Sequence, residues 1–330
     1  MQFVLEDKDD YLPVCLSREG WLFHRTLQAL SDKGLARTPQ PPVYLRTSRA
    51  MLFRAYLCDQ EIFKKSLNYK FMGTVGTLLL DRYALTAQDM SSCFSSLYLK
   101  KDIVLPDDKD ELFVALREKY PDLVRITQGT HAAYSNYLHE LGLDDPAKKI
   151  VFLDLGYSGS IQTMLTKALA RDTYGKYFVT TTQQQVPVGE HTAYLHGAFR
   201  ENVKWDTGYA LLDRSSFLES VMTAPHGQLI DVIQTQNGQR HFVYGRLIVA
   251  QRYWGLVDQI HSGAVDYVVN CFEKGIFFDL PELEELYDAY THNKDFFPGH
   301  VKEFLTIDDF IIGFSTPNLI SLFLHKKAPA

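Results

Sequence analysis

The first fifty residues alternate between short apolar runs and longer segments with helical periodicity. An apolar run from Leu12 to Leu16 predicts a strand, the polar residues 17–20 predict a loop, and the next segment predicts a helix that stops at Gly34. A second apolar run, Val43 to Leu45, follows two prolines and leads into another helical pattern. The first helix carries its apolar side chains on one side, at Trp21, Leu22, Leu27 and Leu30. This order predicts a β-α-β unit.

The same alternation returns after a long helical stretch. Residues 54–147 have a mostly helical pattern, which predicts an insertion or cap. The apolar run from Ile150 to Leu153 then ends at Asp154, a turn rich in glycine and serine follows, and a helical pattern begins. A further strand is predicted at residues 174–182. Because strands that alternate with helices form parallel sheets covered on both faces, we expect an α/β fold.

The last third of the chain is mainly helical and aromatic in pattern. It contains one predicted hairpin, residues 230–245, in which Asn237-Gly238 suits a two-residue turn. Near the end, the apolar segment 310–327 finishes with two lysines. Such a segment predicts a buried terminal helix, which its short length favours, or a contact with a membrane surface or a partner.

Length and composition allow one elaborated domain or two. The chain has 330 residues and 46% hydrophobic content, enough to bury a large core. We expect an α/β core at residues 1–192 with the helical insertion at about 54–147. A mainly helical C-terminal region is expected at residues 193–330.

Charge and cysteine content argue against several classes of protein. A net charge of -6 leaves no excess of Lys and Arg to displace counterions, so we expect no nucleic-acid partner, although a local basic site stays open. The four cysteines lie far apart and form no CxxC pair, which argues against a disulfide framework or a zinc knuckle. The sequence shows neither a charged-then-apolar leader nor a run of about 18 apolar residues, so we expect a soluble cytoplasmic protein.

Three loops follow predicted strands, and the carboxyl ends of parallel strands are where open sheets bind ligands. These loops are Ser17 to Trp21, Arg46 to Arg49, and Asp154 to Gln162. We expect them to converge on one site at the carboxyl edge of the sheet.

The third loop has the composition of a phosphate-binding turn. Gly156 and Gly159 would let the backbone approach a ligand closely, while Ser158 and Ser160 could donate hydrogen bonds to phosphate oxygens. Asp154, just before the turn, is placed to accept from sugar hydroxyls or to hold the water of a metal ion. The alternative is a plain connection, because glycine and serine turns join strands to helices in many proteins that bind nothing there.

The segment around Asp154 resembles the phosphoribosyl pyrophosphate (PRPP) loop of type I phosphoribosyltransferases. That loop is an apolar strand, two acids, two variable residues, Thr-Thr-Gly and a further hydroxyl residue. Asp154 takes the place of the second acid, and residues 158–160 match the end of the pattern. Leu153 stands where the family has its first acid, and Tyr157 stands where it has its first threonine.

The resemblance extends to the other two loops and to the fold. Arg46 and Arg49 lie where the second-strand loop of the family often supplies cations for pyrophosphate. The family's first loop contacts the same group through its backbone, which implies donor binding by Ser17, Arg18, Glu19 and Gly20. The implied fold is a phosphoribosyltransferase-like, Rossmann-like core with a parallel sheet, a large helical insertion and a helical C-terminal region.

Four segments together carry a narrower resemblance. "LSREGWLF", "YLRTSR", "DLGYSGSIQ" and "FLESVMTAPHG", in this order, are similar to proteins of bacterial surface-polysaccharide gene clusters, often fused to or encoded beside a haloacid-dehalogenase (HAD)-type phosphatase. This resemblance implies a glycan phosphoribosyltransferase that moves ribose 5-phosphate from PRPP to a sugar hydroxyl, after which the phosphatase leaves a ribofuranose. It also implies a lipid-linked acceptor, an acceptor site to which the C-terminal region contributes, and a cytoplasmic protein with peripheral contact at the inner face of the membrane.

The sequence has no apolar strand that ends in the Asp-x-Asp-x-Thr nucleophile motif of such a phosphatase. After Asp154 only Leu and Gly follow where a second Asp would be needed. We therefore expect the chain to perform the transfer and another protein to remove the phosphate.

Displacement of pyrophosphate from C1 of ribose needs charge stabilisation on both sides of the breaking bond. The resemblance implies that Mg²⁺ with Arg18, Arg46 and Arg49 would stabilise the departing pyrophosphate. Asp154 would hold the ribose near the developing cation and would be the protein ligand of the Mg²⁺.

A sugar hydroxyl also needs a group that takes its proton. Glu219 is the first candidate for this base, His226 the second and Asp213 the third. Each candidate could instead have a structural role; His226, for example, could simply stabilise the turn after Pro225.

Two other functions stay open at this point. The acceptor could be a nucleobase, as in salvage enzymes, although helical parts on both sides of the Asp154 loop favour a bulky acceptor. The chain could instead be a regulatory module that binds PRPP or a nucleotide without catalysis, which Leu153 in place of an acid favours.

Overall fold

A computed structural model describes residues 10–292. A six-stranded sheet lies at its centre, with the strand order β2-β1-β5-β6-β8-β7. Five of these strands are parallel, and only the edge strand β7 runs antiparallel to its neighbour. The strands of the described chain are β1 (Tyr11–Leu16), β2 (Val43–Leu45), β3 (Phe71–Thr74), β4 (Asp102–Leu105), β5 (Lys149–Tyr157), β6 (Thr173–Thr180), β7 (Gln185–Val188), β8 (His191–Arg200), β9 (Leu229–Gln234) and β10 (Arg240–Tyr244).

Helices cover both faces of the sheet, so the expected α/β class is confirmed and the fold is Rossmann-like. On one face Cys15 of β1 packs in the same buried cluster as Leu27, and on the other Val14 packs with Met164. The helices are α1 (Gly20–Asp32), α2 (Arg49–Ala55), α3 (Gln60–Ser66), α4 (Val75–Tyr83), α5 (Ala87–Cys93), α6 (Ser96–Leu99), α7 (Lys109–Glu118), α8 (Tyr120–Glu140), α9 (Ser160–Leu169), α10 (Ala210–Asp213), α11 (Ser216–Val221), α12 (Val249–Arg252), α13 (Trp254–Lys274) and α14 (Leu280–His292).

The predicted first strands are confirmed, with β1 one residue longer than expected and β2 as expected. All six residues of β1 are buried because β1 lies between β2 and β5 and is covered on both faces. A strand in that position cannot alternate between apolar and polar residues, which explains its continuous apolar run.

The insertion at 54–147 is mainly helical, as expected, but it also contains the antiparallel pair β3–β4. Each of these strands has four residues, so neither shows a periodicity that the sequence could reveal. Helices and strand pair enclose a core of their own, which includes Phe63, Tyr83 and Tyr134 and continues into the core beneath the sheet.

The central sheet continues past residue 192, where the sequence placed the end of the core. β8 runs from His191 to Arg200 and pairs with β6 in parallel, so the boundary falls inside a strand. β7 and β8 form a hairpin that was not predicted. The strand character of β8 is masked because two of its buried positions hold the small residues Ala193 and Gly197, and several of its other positions are polar.

The predicted hairpin is confirmed as β9–β10, but its turn is one residue longer than expected. The Thr235 N–H donates to the Gln239 carbonyl at 2.8 Å, and the Gly238 N–H donates to the Thr235 carbonyl at 2.9 Å. Gly238 has φ +83°, the left-handed conformation that a three-residue loop requires.

The apolar segment 310–327 lies outside the described residues. Of the helices within residues 10–292, none has both the length and the hydropathy needed to cross a bilayer.

Candidate functional site

The three predicted loops meet at the carboxyl edge of the sheet, where the strand order reverses. From β1 the chain crosses to β2 on one side, and it later returns to β5 on the other side. Loop 17–19 therefore lies between loop 46–48 and the end of β5. Crevices at such reversals are the usual ligand sites of open α/β sheets.

Hydrogen bonds join the first two loops. The Ser17 hydroxyl donates to the Thr47 carbonyl at 2.6 Å and accepts from the Thr47 N–H at 2.9 Å. A ligand contact was predicted for Ser17, but this buried hydroxyl is engaged within the protein and positions the loops instead.

Gly20 allows α1 to begin directly against β1. A Cβ atom at this position would lie 2.7 Å from the carbonyl carbon of Cys15, closer than real contacts permit. The helix starts after Glu19, which has helical backbone angles and whose carboxylate accepts from the Arg18 N–H at 3.2 Å. The predicted loop "SREG" is thereby held against the sheet.

Asp154, in the second half of β5, is influenced by two other acidic side chains. Asp154 is buried, and its Oδ1 accepts from the Leu155 N–H at 2.8 Å. Burial raises the pKa of Asp154 well above its ordinary value, and the negative charges of Glu19 and Glu219 raise it further. The structure therefore places Asp154 within range of the charges of Glu19 and Glu219, which are far from it in sequence.

The strand before the turn is longer than predicted: β5 continues past Asp154 to Tyr157. Gly156 pairs with Val179 of β6, and a Cβ atom there would lie 2.9 Å from the Val179 carbonyl oxygen. The Tyr157 ring packs edge-on against Trp205, with 5.4 Å between centroids. The sheet explains both residues, although a phosphate contact was predicted for them.

The turn itself consists of Ser158 and Gly159 and leads into α9 at Ser160. Gly159 has φ +63°, and a Cβ atom there would lie 2.1 Å from the Leu195 Cδ2 atom. Ser158 is exposed, and no side chain caps the N-terminus of the ten-residue helix α9. The free N–H groups at this end can bind an anion, as predicted for the turn.

The three predicted cations do not form one group. The Arg46 guanidinium lies 4.9 Å from the centroid of Phe242, and the charges of Arg46 and Arg18 both reach His226. Arg49 begins α2 and points elsewhere, with its guanidinium 4.8 Å from the centroid of Tyr69 in the insertion. Arg18 and Arg46 thus lie on one side of the site and Arg49 on another.

His226 is held as a neutral ring by two hydrogen bonds. Its Nδ1 lies 2.9 Å from the Gly227 carbonyl, and its Nε2 lies 2.8 Å from the Tyr44 hydroxyl. A carbonyl only accepts, so Nδ1 donates and Nε2 accepts from Tyr44. Burial lowers the pKa of His226, and Arg46 and Arg18 lower it further against the opposing bond to Gly227. Because its basic nitrogen is occupied, His226 is poorly suited to take a proton.

The Asp213 carboxylate holds the loop that precedes it. Its two carboxylate oxygens accept from the backbone N–H groups of Asp206 at 2.8 Å and Gly208 at 2.7 Å. These bonds shape the segment before α10, so the third candidate base has a structural role.

No family model and no curated protein sequence matches this chain.

Sequence reasoning missed one cation, Lys65 of the insertion. Its Nζ donates to the Thr163 hydroxyl at 2.9 Å, in the first turn of α9. Burial lowers the pKa of Lys65, and the positive charges of Arg49 and Lys167 lower it further. Adjacent lysines in a helical pattern give no sign of this, because such pairs are usually solvated.

A mostly apolar cavity of about 280 Å³ borders Asp154 on the face covered by α1, α13 and α14. Aromatic rings make up much of its wall, including Phe23, Phe178, Phe199 and Phe272. Such a wall offers stacking surfaces and few polar partners.

Neutral His226 makes stability depend on pH. Its folded pKa lies below the ordinary value of about 6.5, so the unfolded chain binds more protons as the pH falls below that value. This contribution to stability is complete above about pH 6.5 and is lost as the pH decreases. We expect the melting temperature of the wild type to fall more steeply between pH 7 and pH 5 than that of His226→Gln. Thermal unfolding followed by circular dichroism tests this, with the exposed His241→Gln as control; equal slopes for all three proteins would contradict it.

Proposed function

We propose that this protein transfers ribose 5-phosphate from PRPP to a sugar hydroxyl of a glycan. The observation that carries the proposal is the buried Asp154, which feels the charges of Glu19 and Glu219 and lies on the strand that leads into the uncapped N-terminus of α9, at the reversal of strand order. Carboxylates stabilise a developing ribosyl cation, and a helix N-terminus binds a phosphate. This donor needs both a carboxylate and a phosphate site. Asp154 lies on β5, and the N-terminus of α9 follows the turn at the end of that strand.

The turn would bind the 5-phosphate through Ser158, Ser160 and the first N–H groups of α9. Asp154 would accept hydrogen bonds from the ribose hydroxyls and face the ring carbon whose bond breaks. Arg18 and Arg46, on the other side of β1, would bind the pyrophosphate, together with the backbone of loop 17–20.

The residues of the site could hold Mg²⁺ only together with oxygens of the PRPP. Within residues 10–292, no three His, Cys, Asp or Glu side chains are arranged to enclose a metal ion. Asp154 would therefore hold Mg²⁺ together with donor oxygens, as is usual for this ion, which would neutralise charge on the departing pyrophosphate. A cation there would also offset the repulsion among Asp154, Glu19 and Glu219.

Glu219 is the proposed base. In the transfer, the C1–O bond to pyrophosphate breaks with its electron pair leaving on the pyrophosphate, and an acceptor oxygen forms the new bond to C1. The acceptor proton moves to the Glu219 carboxylate. Direct displacement on an α-configured donor leaves the ribofuranose β-linked.

The C-terminal region would supply the acceptor side. It is attached to the donor loops, since the Ser48 hydroxyl donates to the Leu229 carbonyl at 2.5 Å and Tyr44 bonds to His226. A lipid-linked glycan, a cytoplasmic location at the inner face of the membrane and a separate HAD-type phosphatase complete the proposal.

The experiment is transfer by the purified protein, with PRPP, Mg²⁺ and a panel of glycan acceptors. We expect pyrophosphate release that depends on the acceptor and a product that, by mass spectrometry, gains one phosphoribosyl unit. The phosphate stays because the transfer breaks only the C1–O bond to pyrophosphate and leaves the 5-phosphate ester, bound by the turn, intact. A gain of ribose without phosphate would overturn the assignment of the turn.

A nucleobase acceptor is the second candidate, because the aromatic-lined cavity beside Asp154 could stack a planar ring. Release of pyrophosphate only with a base would favour it. No release with any acceptor, together with PRPP binding, would favour the regulatory module.

A further inference from the structure

Two cations come from separate helices near α9. Lys65 of α3 reaches Thr163 of that turn at 2.9 Å. Arg49 begins α2, which packs against α9, and it lies over Tyr69, in the segment that follows α3. The charge of Arg49 is close enough to disfavour the charged form of Lys65.

Neither cation has a carboxylate partner among residues 10–292. Lys65 bonds only to a hydroxyl, and the buried Nε of Arg49 has no acceptor within the same residues. Asp59 and Glu61, at the start of α3, both pair with Lys167 instead.

This arrangement is unfavourable unless an anion is present. Two like charges, partly removed from water, repel each other, and the N-terminus of α9 adds partial positive charge nearby. Proteins normally pair such groups. A phosphate monoester carries about -1.5 to -2 charges at pH 7 and three acceptor oxygens, which matches two cations and a row of N–H groups.

We propose that Arg49 and Lys65, together with the turn 158–160, form a phosphate monoester site, and that Lys65 binds the 5-phosphate of the ribosyl donor. This identification of the ligand rests on the proposed function, whereas the anion site itself does not. It also moves Arg49 from the pyrophosphate, where the sequence placed it, to the other end of the donor. The helical insertion thereby takes part in binding the group that remains on the product.

Neighbouring lysines provide a matched test. Lys64 lies next to Lys65 in α3, but its ammonium group lies over the ring of Phe113, 5.2 Å from the centroid. Lys65→Met and Lys64→Met remove the same charge from the same helix, and Lys65→Arg keeps it. Binding of inorganic phosphate is measured by calorimetry and by thermal shift, with chloride at equal ionic strength as the reference.

We expect Lys65→Met to weaken phosphate binding by about tenfold or more, while Lys64→Met and Lys65→Arg stay near wild type. In the absence of phosphate, Lys65→Met should melt no lower than wild type, because it relieves repulsion from Arg49. Ribose 5-phosphate should compete with phosphate, and ribose should not. Equal phosphate affinity in the wild type and both methionine variants would overturn the site, as would equal weakening by both substitutions.

The inference and the proposed function can fail separately. Phosphate binding needs neither PRPP nor a glycan, so a Lys65-dependent phosphate site without any transfer would leave the site standing and remove the function. Transfer that is insensitive to Lys65→Met would leave the function standing and remove Lys65 from the donor site.

Discussion

Asp154→Asn is expected to slow phosphoribosyl transfer about 100-fold or more while raising the melting temperature at pH 7. The rate falls because an amide, unlike Asp154, cannot ionise to a carboxylate when Mg²⁺ and the developing ribosyl cation lie beside it, and losses of one preorganised electrostatic group are typically of this size. The hydrogen bond from the Leu155 N–H to Oδ1 is retained by the amide oxygen, so the backbone should not change.

The gain in stability follows from the raised pKa of Asp154. Above about pH 4 the unfolded carboxyl is ionised, whereas burial and the charges of Glu19 and Glu219 keep the proton on the folded one. The folded chain then binds more protons, so its stability is lost as the pH rises through the folded pKa. An asparagine has no such dependence.

Steady-state kinetics and thermal unfolding of the same preparations measure both effects. The exposed Asp107→Asn is the control and should change neither. Near-normal turnover of Asp154→Asn would remove Asp154 from the site. A lower melting temperature would show that the buried carboxylate stabilises the fold.

Arg54→Met is expected to lower the free energy of unfolding by about 3–5 kcal/mol. The Arg54 side chain is 8% exposed and connects parts of the chain that are distant in sequence. Its Nη2 lies 3.0 Å from Asp231 of β9, its Nε donates to Thr130 of α8 at 3.0 Å, and its Nη1 donates to the Tyr83 carbonyl at 2.9 Å. Methionine fills a similar volume but leaves the Asp231 charge and the carbonyl without this partner.

Chemical denaturation monitored by fluorescence gives the value. Arg125→Met, at an exposed position paired with Asp122, is the matched control and should cost about 0.5 kcal/mol or less. The double variant Arg54→Met/Asp231→Leu should recover part of the loss, because it removes the uncompensated charge. A loss below about 1 kcal/mol for Arg54→Met would show that water replaces the guanidinium.

The sequence determined those elements whose buried positions form a recognisable apolar pattern. β1 is buried along its whole length and β2 is a short apolar run started by two prolines, so the bounds of both could be predicted to within a residue. Once the sheet is parallel, the carboxyl ends of its strands share an edge, which is why loops 17–20, 46–49 and 154–160 could be placed together.

Tertiary structure decided where each of these loops begins and which side chains share a region. β5 continues to Tyr157 because β6 supplies pairing partners for Gly156 and Tyr157, and no property of residues 154–157 alone reveals that neighbour. Arg46 and Arg49 are three residues apart, yet α2 begins at Arg49 and directs the two guanidinium groups to different surroundings.

Contacts between distant segments were beyond the sequence altogether. Lys65 and Thr163 are separated by 98 positions, and Glu19, Asp154 and Glu219 come from three separate elements. Periodicity reports which face of an element is buried, but not which other element covers it. The partner of a buried polar group is set by the packing of the whole chain, so it could be read only from the fold.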